Sequence, residues 1–143
     1  MDVKELLRQL PQMEARIRSK EAQIRKYREM ATRATSSTEA ARVSGTGSRS
    51  RVEDAVVKIC DLEAEVRREL YELEARRGQA VSVIGRVSDI RFRDVLEMHY
   101  ITGWSLRRVA AEMHYDERWV QILHGKALNA AREIFAREME NSS

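Results

Sequence analysis

The sequence predicts an all-α protein: a long antiparallel helical hairpin of coiled-coil type, followed by a C-terminal three-helix domain. Three observations carry that expectation. Apolar residues recur in alternating steps of four and three along two stretches, the period of a helical seam. The composition suits long helices better than sheets, since 34% of the 143 residues are charged, 6% are aromatic and only one is proline. In the last third of the chain, three Ser or Asp residues each directly follow an apolar side chain, as N-caps do.

The first seam is Leu6, Leu10, Met13, Ile17, Ile24, Tyr27, Ala31 and Ala34, with Lys20 as its one break. Regular helix is expected from about Pro11 to about Ala34, with the helix either starting its continuous part at Pro11 or kinking there. Val3 to Leu10 would form a less regular first turn or two. Residues 32–51, TRATSSTEAARVSGTGSRSR, have no apolar period, and 35–51 in particular reads as a flexible Ser/Thr/Gly loop. Its arginines Arg42, Arg49 and Arg51 suit either solvation or phosphate contact, and read as solvating groups first. A second seam runs through Val56, Ile59, Val66, Leu70, Leu73, Ala80, Ile84 and Val87, with Glu63 and Arg77 off pattern. Gly78 and Gly85 favour a bend or break near its end. Two bare helices bury too little apolar surface to be stable alone, so residues 1–87 are expected to pair with a second copy as a dimer or larger homo-oligomer.

Residues 88–143 announce three helices. Ser88, Ser105 and Asp116 are the expected N-caps, with apolar pairs Val87 and Phe92, Trp104 and Val109, and Tyr115 and Val120 bracketing them. The first helix would run from Asp89 to about Ile101 and end at Gly103 in a positive-φ conformation. The second would cover Leu106 to Met113 and the third Glu117 to about Arg137. A short helix, a tight turn and a longer helix make the helix-turn-helix arrangement, whose second member lies in the DNA major groove. Ala110 suits a close crossing of the two helices, and Val109, Met113, Val120 and Leu123 would lock them together. The turn position that usually carries Gly would be His114, a residue type that tolerates φ > 0 better than most.

Charge is unevenly spread. Residues 1–51 hold 12 Lys+Arg against 6 Asp+Glu, residues 52–88 hold 6 against 8, and residues 89–143 hold 8 against 9. A basic N-terminal arm beside near-neutral segments fits an anionic partner without demanding one. A lone Cys60 excludes an internal disulfide, and three scattered histidines give no zinc spacing. No 18-residue stretch is free of charge, and MDVKELLRQL lacks a secretory pattern, so a cytosolic protein with no membrane contact is expected. His99 lies on an apolar face, SGTGS lacks the lysine of a phosphate cradle, and no nucleophile or acid–base pair stands out. No enzyme, cofactor or metal centre is expected.

The segment DVLEMHYITGWSLRRVAAEMHYDERWVQILHGKAL resembles region 4 of bacterial sigma-70 factors, the part that reads the −35 promoter element. The helical N-terminus, the Ser/Gly loop, VEDAVVKICDLEAEV and this domain occur in that order in small phage and prophage proteins similar to the ArpU and RinA late-gene regulators. The resemblance covers nearly the whole chain. It implies a phage- or prophage-encoded regulator in the cytoplasm of a bacterial host, binding double-stranded DNA and activating late genes. On the sigma pattern, Glu117, Arg118, Gln121 and Ile122 fall on base-facing positions of the recognition helix. Arg118 would suit a guanine edge, Gln121 an adenine, and Ile122 a thymine methyl. Arg107, Arg108, His124 and Lys126 would approach phosphates. Trp119 is expected to pack on the bundle rather than stack on the sugar–phosphate backbone. Two other functions share these features: a sigma-like factor that docks on host RNA polymerase, and a helical phage-assembly protein such as a small terminase subunit. Small terminases typically place their DNA-binding part first, whereas here it comes last. The near-neutral C-terminal segment favours the polymerase reading.

Overall fold

The computed structural model describes residues 2–36 and 47–142, and among them the protein is all-helical. Helix α1 is Val3–Ser36 and α2 is Gly47–Gly85. Helix α3, Ile90–Leu96, continues through a π-helical turn, Glu97–Ile101; α4 is Leu106–Met113 and α5 is Glu117–Asn141. No helix among the described residues is long and apolar enough to cross a membrane.

Of the two alternatives at Pro11, a start of the continuous helix there is excluded, because α1 runs through the proline from Val3 and the Val3 to Leu10 turns are regular helix. Val3, Leu6, Leu7 and Leu10 are all fully buried. Burying each is worth about 1.5–3 kcal/mol, which together outweighs the roughly 3 kcal/mol that a proline costs inside a helix. The expected loop is also shorter than residues 35–51, since α1 reaches Ser36 and α2 begins at Gly47; the remainder lies outside the described residues. Thr32 Oγ1 donates to the Arg28 carbonyl at 2.8 Å and Thr35 Oγ1 to the Thr32 carbonyl at 2.8 Å, so polar side chains here serve the helix instead of ending it.

Two compact units divide the chain, one formed by Glu14–Glu72 and the other by Met1–Met13 with Leu73–Ser143. The expected boundary between residues 87 and 88 therefore does not mark where the units part. The ends of both long helices carry core residues of the larger unit: Val3 to Leu10 on α1, and Leu73, Ala80, Val83, Ile84 and Val87 on α2.

In the smaller unit Ile17, Ile24, Ala55 and Val66 are buried. Here the expected α2 seam needs a correction. Val56 and Leu70, assigned inward, are exposed at 49% and 40%, while Ala55 is buried. One stripe of the heptad, residues 59, 66, 73, 80 and 87, stands as expected. Its companion is shifted back by one residue at 55, 62, 69 and 76, while at its end Ile84 is buried as expected, together with Val83. That stripe contains Glu69 and Arg76, which is why apolar content alone hides it. Both find partners on α1: Lys20 Nζ donates to Glu69 Oε1 and lies 3.2 Å from Glu65 Oε2, and Arg76 donates to Gln9 Oε1. The break at Lys20 is thus the site of a polar pairing across the seam. The neighbouring carboxylates, Glu69 foremost, raise the Lys20 pKa, so its ammonium stays charged.

In the larger unit the start of α3 also shifts. Asp89, not Ser88, is the N-cap, with Asp89 Oδ1 accepting from the Arg91 backbone N–H at 2.9 Å. The Arg91 guanidinium lies 3.0 Å from Asp89 Oδ2 and holds the carboxyl below the usual carboxylate range. Gly103, at φ 85°, follows the helix as expected. Helix α5 continues to Asn141, four residues beyond the expected Arg137, because Phe135 is buried and Glu138 pairs with Arg86 at 2.6 Å.

Candidate nucleic-acid interface

Helices α4 and α5 are joined by His114, Tyr115 and Asp116. Ser105 caps α4, its hydroxyl accepting from the Arg108 N–H at 3.2 Å. His114 closes it at φ 58° and ψ 40°, the left-handed region. Its N–H donates to the Ala111 carbonyl at 3.3 Å, and the Tyr115 N–H reaches back to the Ala110 carbonyl at 2.9 Å. This is the Schellman arrangement, with histidine in glycine's usual place. Asp116 takes the extended backbone of an N-cap but makes no side-chain capping bond.

The core beneath the turn is Val95, Val109, Ala110, Val120 and Leu123, with Phe92, Met98, Trp104, Leu106 and Met113 packed around it. Ala110 is 3% exposed, as a close crossing requires. The π-helical turn sets the approach to α4. His99 Nδ1 donates to the Trp104 carbonyl at 2.7 Å, and the Trp104 N–H donates to the Met98 carbonyl at 3.0 Å. His99 is therefore packed and hydrogen-bonded.

With Val120 and Leu123 turned inward, the opposite side of α5 carries Glu117, Arg118, Gln121 and Ile122, all exposed. Ile122 is 44% exposed, an open isoleucine rather than a core residue. Arg107, Arg108 and Lys126 are exposed as well. The Arg108 guanidinium carbon lies 4.1 Å from the centre of the Trp104 ring, so its planar group stacks while staying in reach of solvent.

Two residues depart from expectation. Trp119 does not pack into the bundle; it is exposed at 36%, with Lys126 Nζ 5.7 Å from its ring centre. Its place on α5 is directly beside the inward Val120, which turns it outward. His124 is half-buried instead of facing solvent. Its Nε2 lies 2.7 Å from Tyr100 Oη, and the two rings stack at 5.6 Å. Burial, with help from His99, Lys4 and Arg8, lowers its pKa, so the ring is neutral at pH 7 and hydrogen-bonded to the phenol. A neutral, occupied imidazole is a poor phosphate ligand. The histidine's spacing on α5 placed it correctly on the helix, but Tyr100 is 24 residues away in sequence and gave no local signal.

Among the described residues, no three His, Cys, Asp or Glu side chains gather into a group able to hold a metal ion. Compared with protein-family models, curated proteins and solved structures, the chain matches none.

Proposed function

We propose that this protein is a DNA-binding transcription regulator, in which α4 and α5 form a helix-turn-helix and α5 enters the major groove. The observation that carries this reading is the division of α5 into two faces. Val120 and Leu123 anchor it to α4, while Glu117, Arg118, Gln121 and Ile122 are presented free of the core. A left-handed turn and a small residue at the crossing fit the same motif. The sigma region 4 resemblance adds promoter recognition, and the phage resemblance adds late-gene activation in a bacterial cytoplasm. No catalytic role belongs to this reading.

The long helices are read as an antiparallel hairpin that assembles copies. In the smaller unit Lys20 meets Glu65 and Glu69, whereas Arg28, further along α1, meets Glu63, so partner numbers fall as α1 advances.

A specific observation favours a second reading, docking on RNA polymerase. Tyr115, Trp119 and Ile122 expose apolar surface at helical spacing on or beside the base-facing side of α5. A phosphate-binding face is ordinarily more basic and less apolar.

Footprinting on the phage or prophage genome tests the class, with a protected site upstream of a late operon expected. Substitution separates the roles. Arg118→Ala or Gln121→Ala is expected to cost about 1–3 kcal/mol on the specific site and little on random DNA. Arg107→Ala or Lys126→Ala is expected to weaken both and to flatten the salt dependence by about one unit of slope per lost contact. If all four leave DNA binding intact but abolish a polymerase interaction, the docking reading replaces the DNA-reading one.

A further inference from the structure

A cleft of about 570 Å³ in the larger unit lies away from the base-facing side of α5 and has no part in the reading above. It is lined by Arg8, Pro11 and Gln12 of α1, His99 and Tyr100 of the π-helical turn, Gly103 to Ser105, and His124 of α5. The volume lies in the range of small-molecule sites, about 300–1,000 Å³. Three features of its chemistry agree. First, no carboxylate lines it, in a chain with 23 Asp and Glu residues. Secondly, Lys4 and Arg8 act on its inner wall, since both disfavour a proton on His124, and Arg8 also opposes the rise that burial gives the Tyr100 pKa. Arg8 is solvent-exposed and forms no ion pair among the described residues, so its guanidinium fork is free for an oxyanion. Thirdly, the wall is prearranged: His99 is fixed by the Trp104 carbonyl and His124 by Tyr100, both at 2.7 Å. An anion entering there meets the Arg8 guanidinium against a wall that His99 and His124 already hold in place.

We propose that this cleft binds a phosphate group, with Arg8 as the principal cation and the Gln12 amide and Ser105 hydroxyl as hydrogen-bond donors. The phosphate has two chemical sources, a free nucleotide-sized molecule or the DNA backbone, and both present the same oxyanion. The test follows the ring-proton resonances of His99 and His124 by NMR in the full-length protein, at constant pH and with ionic strength held by chloride. Inorganic phosphate, AMP and a random-sequence DNA duplex are titrated separately. A saturable shift with inorganic phosphate or AMP assigns the source to a free small molecule. A saturable shift with the duplex alone assigns it to the DNA backbone. In each case Arg8→Gln is expected to weaken binding about tenfold, the loss of one charge-assisted contact. Gln12→Glu, which places a carboxylate in the cleft, is expected to weaken it at least as much. Both positions are exposed, and an unchanged circular dichroism spectrum verifies the fold of each variant. No shift with any of the three probes overturns the proposal, as does a shift of equal affinity in the Arg8→Gln protein. Because phosphate and AMP binding need no specific DNA site, their outcome is independent of whether α5 reads bases.

Discussion

His114 stands at φ 58° and ψ 40°, a conformation that costs an L-residue about 1–2 kcal/mol relative to right-handed helix. Glycine escapes that cost but gives back part of the gain as unfolded-state entropy, about 0.5–1 kcal/mol. His114→Gly is therefore expected to stabilise the protein by up to about 1 kcal/mol, and His114→Val, β-branched, to destabilise it. Chemical denaturation of the two variants checks the sign at this position. His124 gives a second residue-scale expectation. Burial first, then His99, Lys4 and Arg8, lowers its pKa below the ordinary 6.5. Between those two values the unfolded chain takes up a proton that the folded one refuses. The contribution to stability is thus complete above pH 6.5 and falls away as the pH drops below it. Thermal melts at pH 7.5 and 5.5 should show a drop on acidification that shrinks in His124→Gln.

At the scale of elements, the α4–α5 crossing depends on Ala110, 3% exposed and surrounded by Val95, Val109, Val120 and Leu123. Ala110→Leu is expected to cost about 1–3 kcal/mol through overpacking and to abolish specific DNA binding. An unchanged melting curve together with unchanged DNA binding would mean that the two helices do not cross there. The α2 seam shows how an element can defeat pattern reading. A seam is legible when its positions are apolar, as Leu6, Leu10, Ile17 and Ile24 are on α1. On α2 the companion stripe includes Glu69 and Arg76, whereas the apolar Val56 and Leu70 one residue later continue the four-and-three pattern. What selects the true stripe is a set of polar partners, Lys20 and Gln9, 49 and 67 residues away in sequence.

For the whole molecule, the displaced stripe leaves apolar surface outside. Val56 and Val57 are exposed at 49% and 58%, and Met30, Leu70 and Tyr71 are exposed too, all five within the Glu14–Glu72 unit. A helix pair with this much open apolar surface is the expected seat of self-association. Sedimentation should find a dimer or larger at tens of micromolar protein, and Val56→Lys with Val57→Lys should shift the protein towards monomer while preserving helicity. A wild-type monomer throughout that range would remove the oligomerisation assignment.

Local chemistry decided much of this protein from sequence alone. The all-α class, the bounds of α4 at Leu106 and Met113, the cap at Ser105 and the positive φ of Gly103 and His114 all follow from interactions within a few residues along the chain. The exposure of Arg118, Gln121 and Ile122 follows from the same helical period that buries Val120 and Leu123. Other features depended on residues far apart. Only tertiary packing carries α1 through Pro11, since the Val3 to Leu10 segment needs a core to enter. Only tertiary partners seat Glu69 and Arg76 in the α2 seam, turn His124 towards Tyr100, and set the unit boundaries inside the long helices. Periodicity and capping are properties of neighbours on one helix; which polar residue is tolerated inside, and which apolar one is left outside, depends on what the other helix presents.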